Sequence, residues 1–146
     1  MKTSALEDSE LVKNFFAHLE LARKGDPEKQ LDLGKLYYYG LEGVLEDKKL
    51  AVYWYQKSAN QGNEFAQHRL GECYRLGDGV DEDVEIAQKW YYKSAMQGYS
   101  TAQYRLGECY RLGHGVDKDV DAAKEWYQRA ASQGLKVAIE KLEELA

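Results

Sequence analysis

Trp54, Trp90 and Trp126 are spaced by 36 and 36 residues, and each is followed by a tyrosine: Tyr55, Tyr91 and Tyr127. A fixed period of that size marks stacked supersecondary units, and it restricts the chain to repeat architectures before any single residue is interpreted. Ala51, Ala87 and Ala123 keep the period, as do Ala59, Ala95 and Ala131. Residues 63–98 match residues 99–134 at 22 of 36 positions. All thirteen glycines fall into four columns: Gly25/Gly62/Gly98/Gly134, Gly34/Gly71/Gly107, Gly40/Gly77/Gly113 and Gly43/Gly79/Gly115. The one slip is an extra residue between Gly40 and Gly43, in the first unit's loop.

Each unit reads as two helices. In the second, Ala66, Leu70, Cys73 and Tyr74 sit at i, i+4, i+7 and i+8, one helical stripe. Gly77 is placed to end that helix. Asp83 is the expected N-cap of the next, with Glu85 in its first turn. Ala87, Trp90, Tyr91, Ser94 and Ala95 form the second stripe, ended by Gly98. Asp47 and Asp119 hold the same capping position in the other units, and Asp26-Pro27 opens the first. Glycine in mid-helix costs roughly 1 kcal/mol against alanine. Its recurrence as Gly34, Gly71 and Gly107 therefore implies a close helix–helix approach, with a large aromatic from the partner helix over the gap. A strand reading fails on period, and the single proline among 146 residues argues against a turn-rich β-sandwich.

Composition removes several classes of function. A net charge of −5 weighs against nucleic acid as the main partner, because phosphate contacts need clustered Lys and Arg. No apolar run exceeds the six residues Leu50 to Tyr55, so no membrane insertion is expected. The start, MKTSALEDSELVKNFF, carries acids where a signal peptide needs an apolar stretch, which points to a cytoplasmic chain. His18, His68 and His114 show no metal spacing, and neither a CxxC motif nor a P-loop is present, so no catalytic residue, cofactor or metal is expected. The acids of Asp78 to Glu85 do not follow the EF-hand pattern and read as helix caps. Cys73 and Cys109 occupy equivalent positions on helices expected about 8–10 Å apart. A disulfide needs Cβ atoms about 3.5–4.5 Å apart, so both should be reduced core residues. The Trp-Tyr pairs read as core packing.

The string AQHRLGECYRLGDGVDEDVEIAQKWYYKSAMQG resembles the Sel-one-like repeat, a relative of the tetratricopeptide repeat, through Ala66, Leu70, Gly71, Tyr74, Gly77, Gly79, Val80, Asp83, Ala87, Trp90, Tyr91, Ala95 and Gly98. The resemblance covers roughly residues 26–140. It implies an all-α fold, an α/α solenoid of about eight antiparallel helices used as an interaction scaffold. The units would be residues 26–62, 63–98 and 99–134, between an N-terminal cap within 1–25 and a C-terminal cap within 135–146. Val12, Phe15, Phe16, Leu19 and Ala22 suit the inner face of the first cap; Ala138, Leu142 and Leu145 suit that of the last. The paired cysteines of the family's secreted, cysteine-rich branch are missing.

The resemblance also implies that the first helix of each unit lines a concave face. That groove would present Glu28, Leu31, Lys35 and Tyr38 from the first unit, Phe65, His68, Glu72 and Arg75 from the second, and Thr101, Tyr104, Glu108 and Arg111 from the third. Such a row of mixed charge and aromatics suits a peptide. The bland alternative makes Glu72–Arg75 and Glu108–Arg111 solvated i,i+3 pairs. Leu41 and Leu45, in the longer first loop, offer a second apolar contact, to the partner or to another copy of the chain. The function expected is a non-catalytic adaptor, monomeric or weakly dimeric, that binds a segment of another protein. A regulatory module for a small molecule or cell-wall fragment is the alternative, and a hydrolase the remote one.

Overall fold

A computed structural model describes residues 2–146, with side-chain surroundings from Glu10 onward. The described residues form eight α-helices and no strand: α1 (Lys2–Arg23), α2 (Pro27–Tyr39), α3 (Lys48–Asn60), α4 (Glu64–Leu76), α5 (Val84–Met96), α6 (Ser100–Leu112), α7 (Val120–Ser132) and α8 (Lys136–Leu145). The α2–α3, α4–α5 and α6–α7 pairs stack in chain order, with α1 against α2 and α8 against α7. This is an α-solenoid. The caps fall where the residue types require them. Asp83 accepts from the backbone N–H groups of Glu85 and Ile86, and Asp47 and Asp119 cap α3 and α7 in the same way. Asp26 caps α2, with Pro27 opening the helix.

Glycine sets the spacing within each pair. A Cβ built on Gly71 would lie 2.7 Å from the ring of Tyr91, and one on Gly107 would lie 2.6 Å from Tyr127. Gly34 meets Tyr55 in the same way. The aromatic over each glycine is the tyrosine of the Trp-Tyr pair. Tyr55, Tyr91 and Tyr127 are accordingly at most 1% exposed. The tryptophans divide differently from expectation. Trp54 is buried against Ala22, Leu33 and Leu36, whereas Trp90 and Trp126 pack only partly against the cores of their neighbours. Their outer faces carry Lys93 and Arg129, whose charged groups lie 4.6 and 4.3 Å from the ring centres.

A second glycine column sets the spacing between pairs. At Gly79 a Cβ would collide with the backbone at Lys48, and at Gly115 with the backbone at Val84 and Glu85. Each loop thus lies directly on the second helix of the preceding unit. Gly43 has open space around it. Among the described residues no earlier repeat underlies the first loop, which holds the extra residue and leaves Leu41 and Leu45 exposed.

Glutamine supplies a register that the apolar stripes do not reveal. Gln67 on α4 is 5% exposed and donates to the Ala59 carbonyl at the end of α3. Gln97, after α5, donates to the Gly62 carbonyl and to Gln67 Oε1, both at 2.8 Å. Gln30 with Gln61, and Gln103 with Gln133, repeat the arrangement. The Ala22, Ala59 and Ala95 carbonyls, each already accepting from the glycine N–H three residues on, gain a second donor, and the turn carbonyls of Gly25, Gly62 and Gly98 gain a side-chain donor.

At the N-terminal end Phe15, Leu19 and Ala22 pack against the first repeat. Val12 and Phe16, expected inward, are 53% and 61% exposed. At the other end Ala138 is buried, and Leu142 and Leu145 are half-buried.

The fit around Gly71 is directly testable. Gly71→Ala should destabilise by about 1–3 kcal/mol through overpacking, although alanine is the better helix former. Thermal or urea unfolding reads this, and unchanged or raised stability would show that the Tyr91 ring is not seated on the helix. Tyr91→Ala should cost more than Trp90→Ala, about 3–5 kcal/mol for the fully buried ring; the reverse order would place the tryptophan at the centre.

Candidate functional site

The first helices α2, α4 and α6 carry a line of polar groups that the tyrosines hold in place. Glu72 stands one residue after Gly71, so its carboxylate meets the hydroxyl end of the ring over that glycine: Tyr91 Oη donates to Glu72 Oε1 at 2.5 Å. On the same helix Arg75 Nη2 lies 2.7 Å from Glu72 Oε2. From α6, Arg105 Nε approaches Glu72 Oε1 at 2.8 Å, and Nη2 donates to Oε2 at 3.3 Å. The Nε contact is a charge contact, since its N–H is misdirected for a hydrogen bond. One carboxylate therefore joins α4, α5 and α6, and with them two repeats.

The third unit repeats the core of this cluster. Tyr127 Oη donates to Glu108, and Arg111 binds the same carboxylate through Nη2 at 2.8 Å and Nε at 3.0 Å. The Glu72 and Glu108 side chains are only 17% and 19% exposed, so neither pair is a solvated surface pair. Burial alone would raise the Glu72 carboxyl, but hydrogen bonds from Arg75 and Tyr91 outweigh it and hold it below the usual carboxylate range. Burial, with the charge of Glu72 beside it, keeps the Tyr91 hydroxyl protonated well above its ordinary range.

The other expected groove residues are placed unevenly. Phe65 is 45% exposed, its ring edge-on to Tyr99. Tyr104 is half-buried and tilted over Tyr127, with Thr101 half-buried on the same helix. Lys35 and Tyr38 are half-buried on α2, Glu28 is exposed, and Tyr38 Oη donates to Asp78 at 2.5 Å. Leu31 and His68 depart from expectation. Leu31 is 6% exposed and belongs to the core between the first two units. His68 is 8% exposed, packed against Tyr91 and Tyr99. Burial pushes its imidazole down to about 4, despite Glu72 nearby.

Between α4, α5 and α6 the face holds a depression of about 270 Å³, lined by Arg75, Tyr91, Arg105, Glu108, Leu112 and His114 among others. On the opposite face Trp90, Tyr92, Lys93 and Tyr110 line an apolar one of about 480 Å³. Cys73 and Cys109 are free and buried, and burial raises their thiols to about 12 and about 11. No group of three potential metal ligands occurs among the described residues. No helix of the described residues is long and apolar enough to cross a membrane.

Helix pairs of this length, seated on glycine and stacked through recurring loops, define a helical-repeat protein. A family profile described as Sel1 repeat matches residues 27–63, 65–99 and 100–135, and the chain belongs to that family. Its structure is similar to a Sel1 repeat protein from Oxalobacter formigenes, with 36% identity, a TM-score of 0.82, and coverage of 90% of this chain and 98% of that one. It is also similar to a protective antigen of uropathogenic Escherichia coli displaying an SLR fold, at 30% identity and a TM-score of 0.68, covering 88% of this chain and 35% of that one. Helicobacter pylori cysteine rich protein B shares the fold, at 19% identity and a TM-score of 0.70, over 91% and 95% of the two chains. Among curated proteins, HRD3A of Arabidopsis thaliana, an ERAD-associated E3 ubiquitin-protein ligase component, is 34% identical over 56 residues. That match takes in 38% of this chain, which spans only 8% of the plant protein's length.

Burial of His68 and Glu72 gives stability a defined pH dependence. The folded imidazole titrates near 4 instead of 6.5, so the unfolded chain binds the extra proton between those values, and stability falls as pH drops through that window. Glu72, with its folded pKa lowered from 4.5, loses its contribution further down, as pH falls through that lowered value. His68→Tyr, the residue found at the matching Tyr104, should flatten the slope of melting temperature between pH 6.5 and 5. A slope unchanged by the substitution would mean that the imidazole is not buried neutral.

Proposed function

We propose that this chain is a non-catalytic interaction scaffold whose α2–α4–α6 face binds a segment of another protein. The observation that carries the reading is the contrast along that face. Glu72, Arg75, Arg105, Glu108 and Arg111 are locked in hydrogen-bonded clusters, while Phe65, Tyr104 and Lys35 between them retain accessible surface. A preorganised row of this kind loses little side-chain freedom on binding, and aromatic anchors supply contact area. Membership of the Sel1 repeat family supports the reading, since proteins built on such repeats commonly serve as interaction scaffolds. A small-molecule module fits less well. The depression with convergent charged groups holds about 270 Å³, below the roughly 300–1,000 Å³ of pockets for drug-sized ligands, and the roomier one of about 480 Å³ beside Trp90 is mainly apolar. Two buried free cysteines suit a reducing, cytoplasmic compartment. The exposed Leu41 and Leu45 leave room for a weak second contact.

Affinity capture from the source cell with mass spectrometry identifies the partner, and variants of the two faces then locate it. Phe65→Ala with Tyr104→Ala should weaken the interaction about tenfold or more, the scale of losing an interface anchor. Tyr92→Ala with Lys93→Ala, on the second-helix face, should leave it intact. The opposite pattern would move the binding site to the Trp90 face.

A further inference from the structure

The first seam between repeats lacks the carboxylate on which the second closes. In register, Lys35 stands where Glu72 and Glu108 stand, Tyr38 where Arg75 and Arg111 stand, Tyr55 with Tyr91 and Tyr127, and Arg69 with Arg105. Tyr91, Arg75 and Arg105 converge on the Glu72 carboxylate. At the first seam the tyrosine and the arginine of the following repeat remain, the acceptor is gone, and Tyr38 stands in place of the second arginine. Tyr55 is 0% exposed, and its buried hydroxyl has no hydrogen-bond partner. Arg69 donates to a neutral group, Tyr39 Oη, at 2.5 Å. No acid lies within ion-pair distance of Arg69 or Lys35 among the described residues. The acids near this end are engaged elsewhere, Asp78 by Tyr38 Oη and Asp32 by Lys29.

We propose that this seam is a receptor for the side-chain carboxylate of an aspartate or glutamate in the bound partner segment, held by Tyr55, Arg69 and Lys35. The proposal rests on the scaffold reading above and adds the chemistry of what is recognised. The second seam is the template: a carboxylate on a side-chain stem accepts from the tyrosine hydroxyl and pairs with the arginine of the following repeat. An unpaired buried hydroxyl carries a desolvation cost that an acceptor removes, and charge-assisted bonds to a carboxylate are the strong class. Burial keeps the Tyr55 hydroxyl protonated and able to donate. Lys35, half-buried one residue after Gly34, adds a flexible cationic side chain on the same helix.

The test uses the whole chain and three blocked peptide probes followed by NMR: acetyl-Gly-Ser-Glu-Ser-Gly-amide, its Gln counterpart, and acetyl-Gly-Ser-Gly-Ser-Gly with a free C-terminal carboxylate. The Glu peptide should give saturable shifts at the Arg69 side-chain N–H and around Gly34, at least tenfold stronger in affinity than either other probe. Lys35→Glu supplies the missing acid from within, so it should abolish those shifts and raise the melting temperature. Tyr55→Phe should weaken the Glu peptide without loss of stability, whereas Tyr91→Phe should destabilise. Equal response to Glu and Gln peptides, no response to either, or response to the free C-terminus alone would overturn the proposal. So would Lys35→Glu that lowers the melting temperature. The two readings fail separately. Loss of the captured partner in the Phe65/Tyr104 variant, with no Glu-specific shift, removes the carboxylate site and leaves the scaffold. A Glu-specific shift with capture undisturbed by that variant does the reverse.

Discussion

The contact between a mid-helix glycine and the ring of a buried tyrosine is the constraint on which the rest of this solenoid depends. Without a Cβ at Gly71, α4 accepts the face of Tyr91 at a distance no other residue permits. That approach has an electrostatic consequence. The ring places its hydroxyl beside the residue that follows the glycine, which in two of three units is glutamate. A buried phenol finds an acceptor, a buried carboxylate finds donors, and the neighbouring arginines complete the set. Packing within one helix pair thereby creates the polar joint to the next, through Arg105.

The two other recurring devices orient what this contact brings together. Loop glycines such as Gly79 let one unit's loop lie on the backbone of the unit before it. The glutamine pairs Gln67–Gln97 and Gln103–Gln133 tie consecutive helix ends together through carbonyls at those ends and in the turns that follow them. Buried polar groups that are fully satisfied favour a single register over slippage. The first unit has the glutamines but neither the glutamate nor the tight loop. Its departures lie on two sides: the loose loop has no repeat beneath it, and the lysine in place of glutamate stands at the seam with the second repeat.

Much of the fold was legible because periodicity and capping are local. Asp83 and Pro27 carry their meaning in their own dihedral preferences, and the glycine columns announced close approach before any partner was visible. The partner itself was less legible. Trp and Tyr are adjacent in every unit, and only helix packing decides that Tyr91 takes the inner position and Trp90 the partly exposed one. Gln67 and Gln97 recur with the period, but their role is invisible in the sequence because their donors and acceptors come from separate elements. At the candidate site the i,i+3 spacing of Glu72 and Arg75 was plain. Its burial beneath Tyr91 and its link to Arg105 were not, since they span 19 and 33 residues of sequence. Leu31 and His68 fell on the groove stripe by register, yet the width of the helix interface places them in the interior.

Native-state hydrogen exchange tests most directly whether these carboxylate joints couple the repeats. It reads the opening free energy of each helix separately. With Glu72 tied to α4, α5 and α6, and Glu108 to α6 and α7, the helices α4 to α7 should exchange as one unit of high protection. The α2–α3 pair, whose Tyr55 hydroxyl lacks an acceptor, should open at a lower free energy. Equal protection from α2 through α7, or greatest protection in α2 and α3, would contradict the coupling.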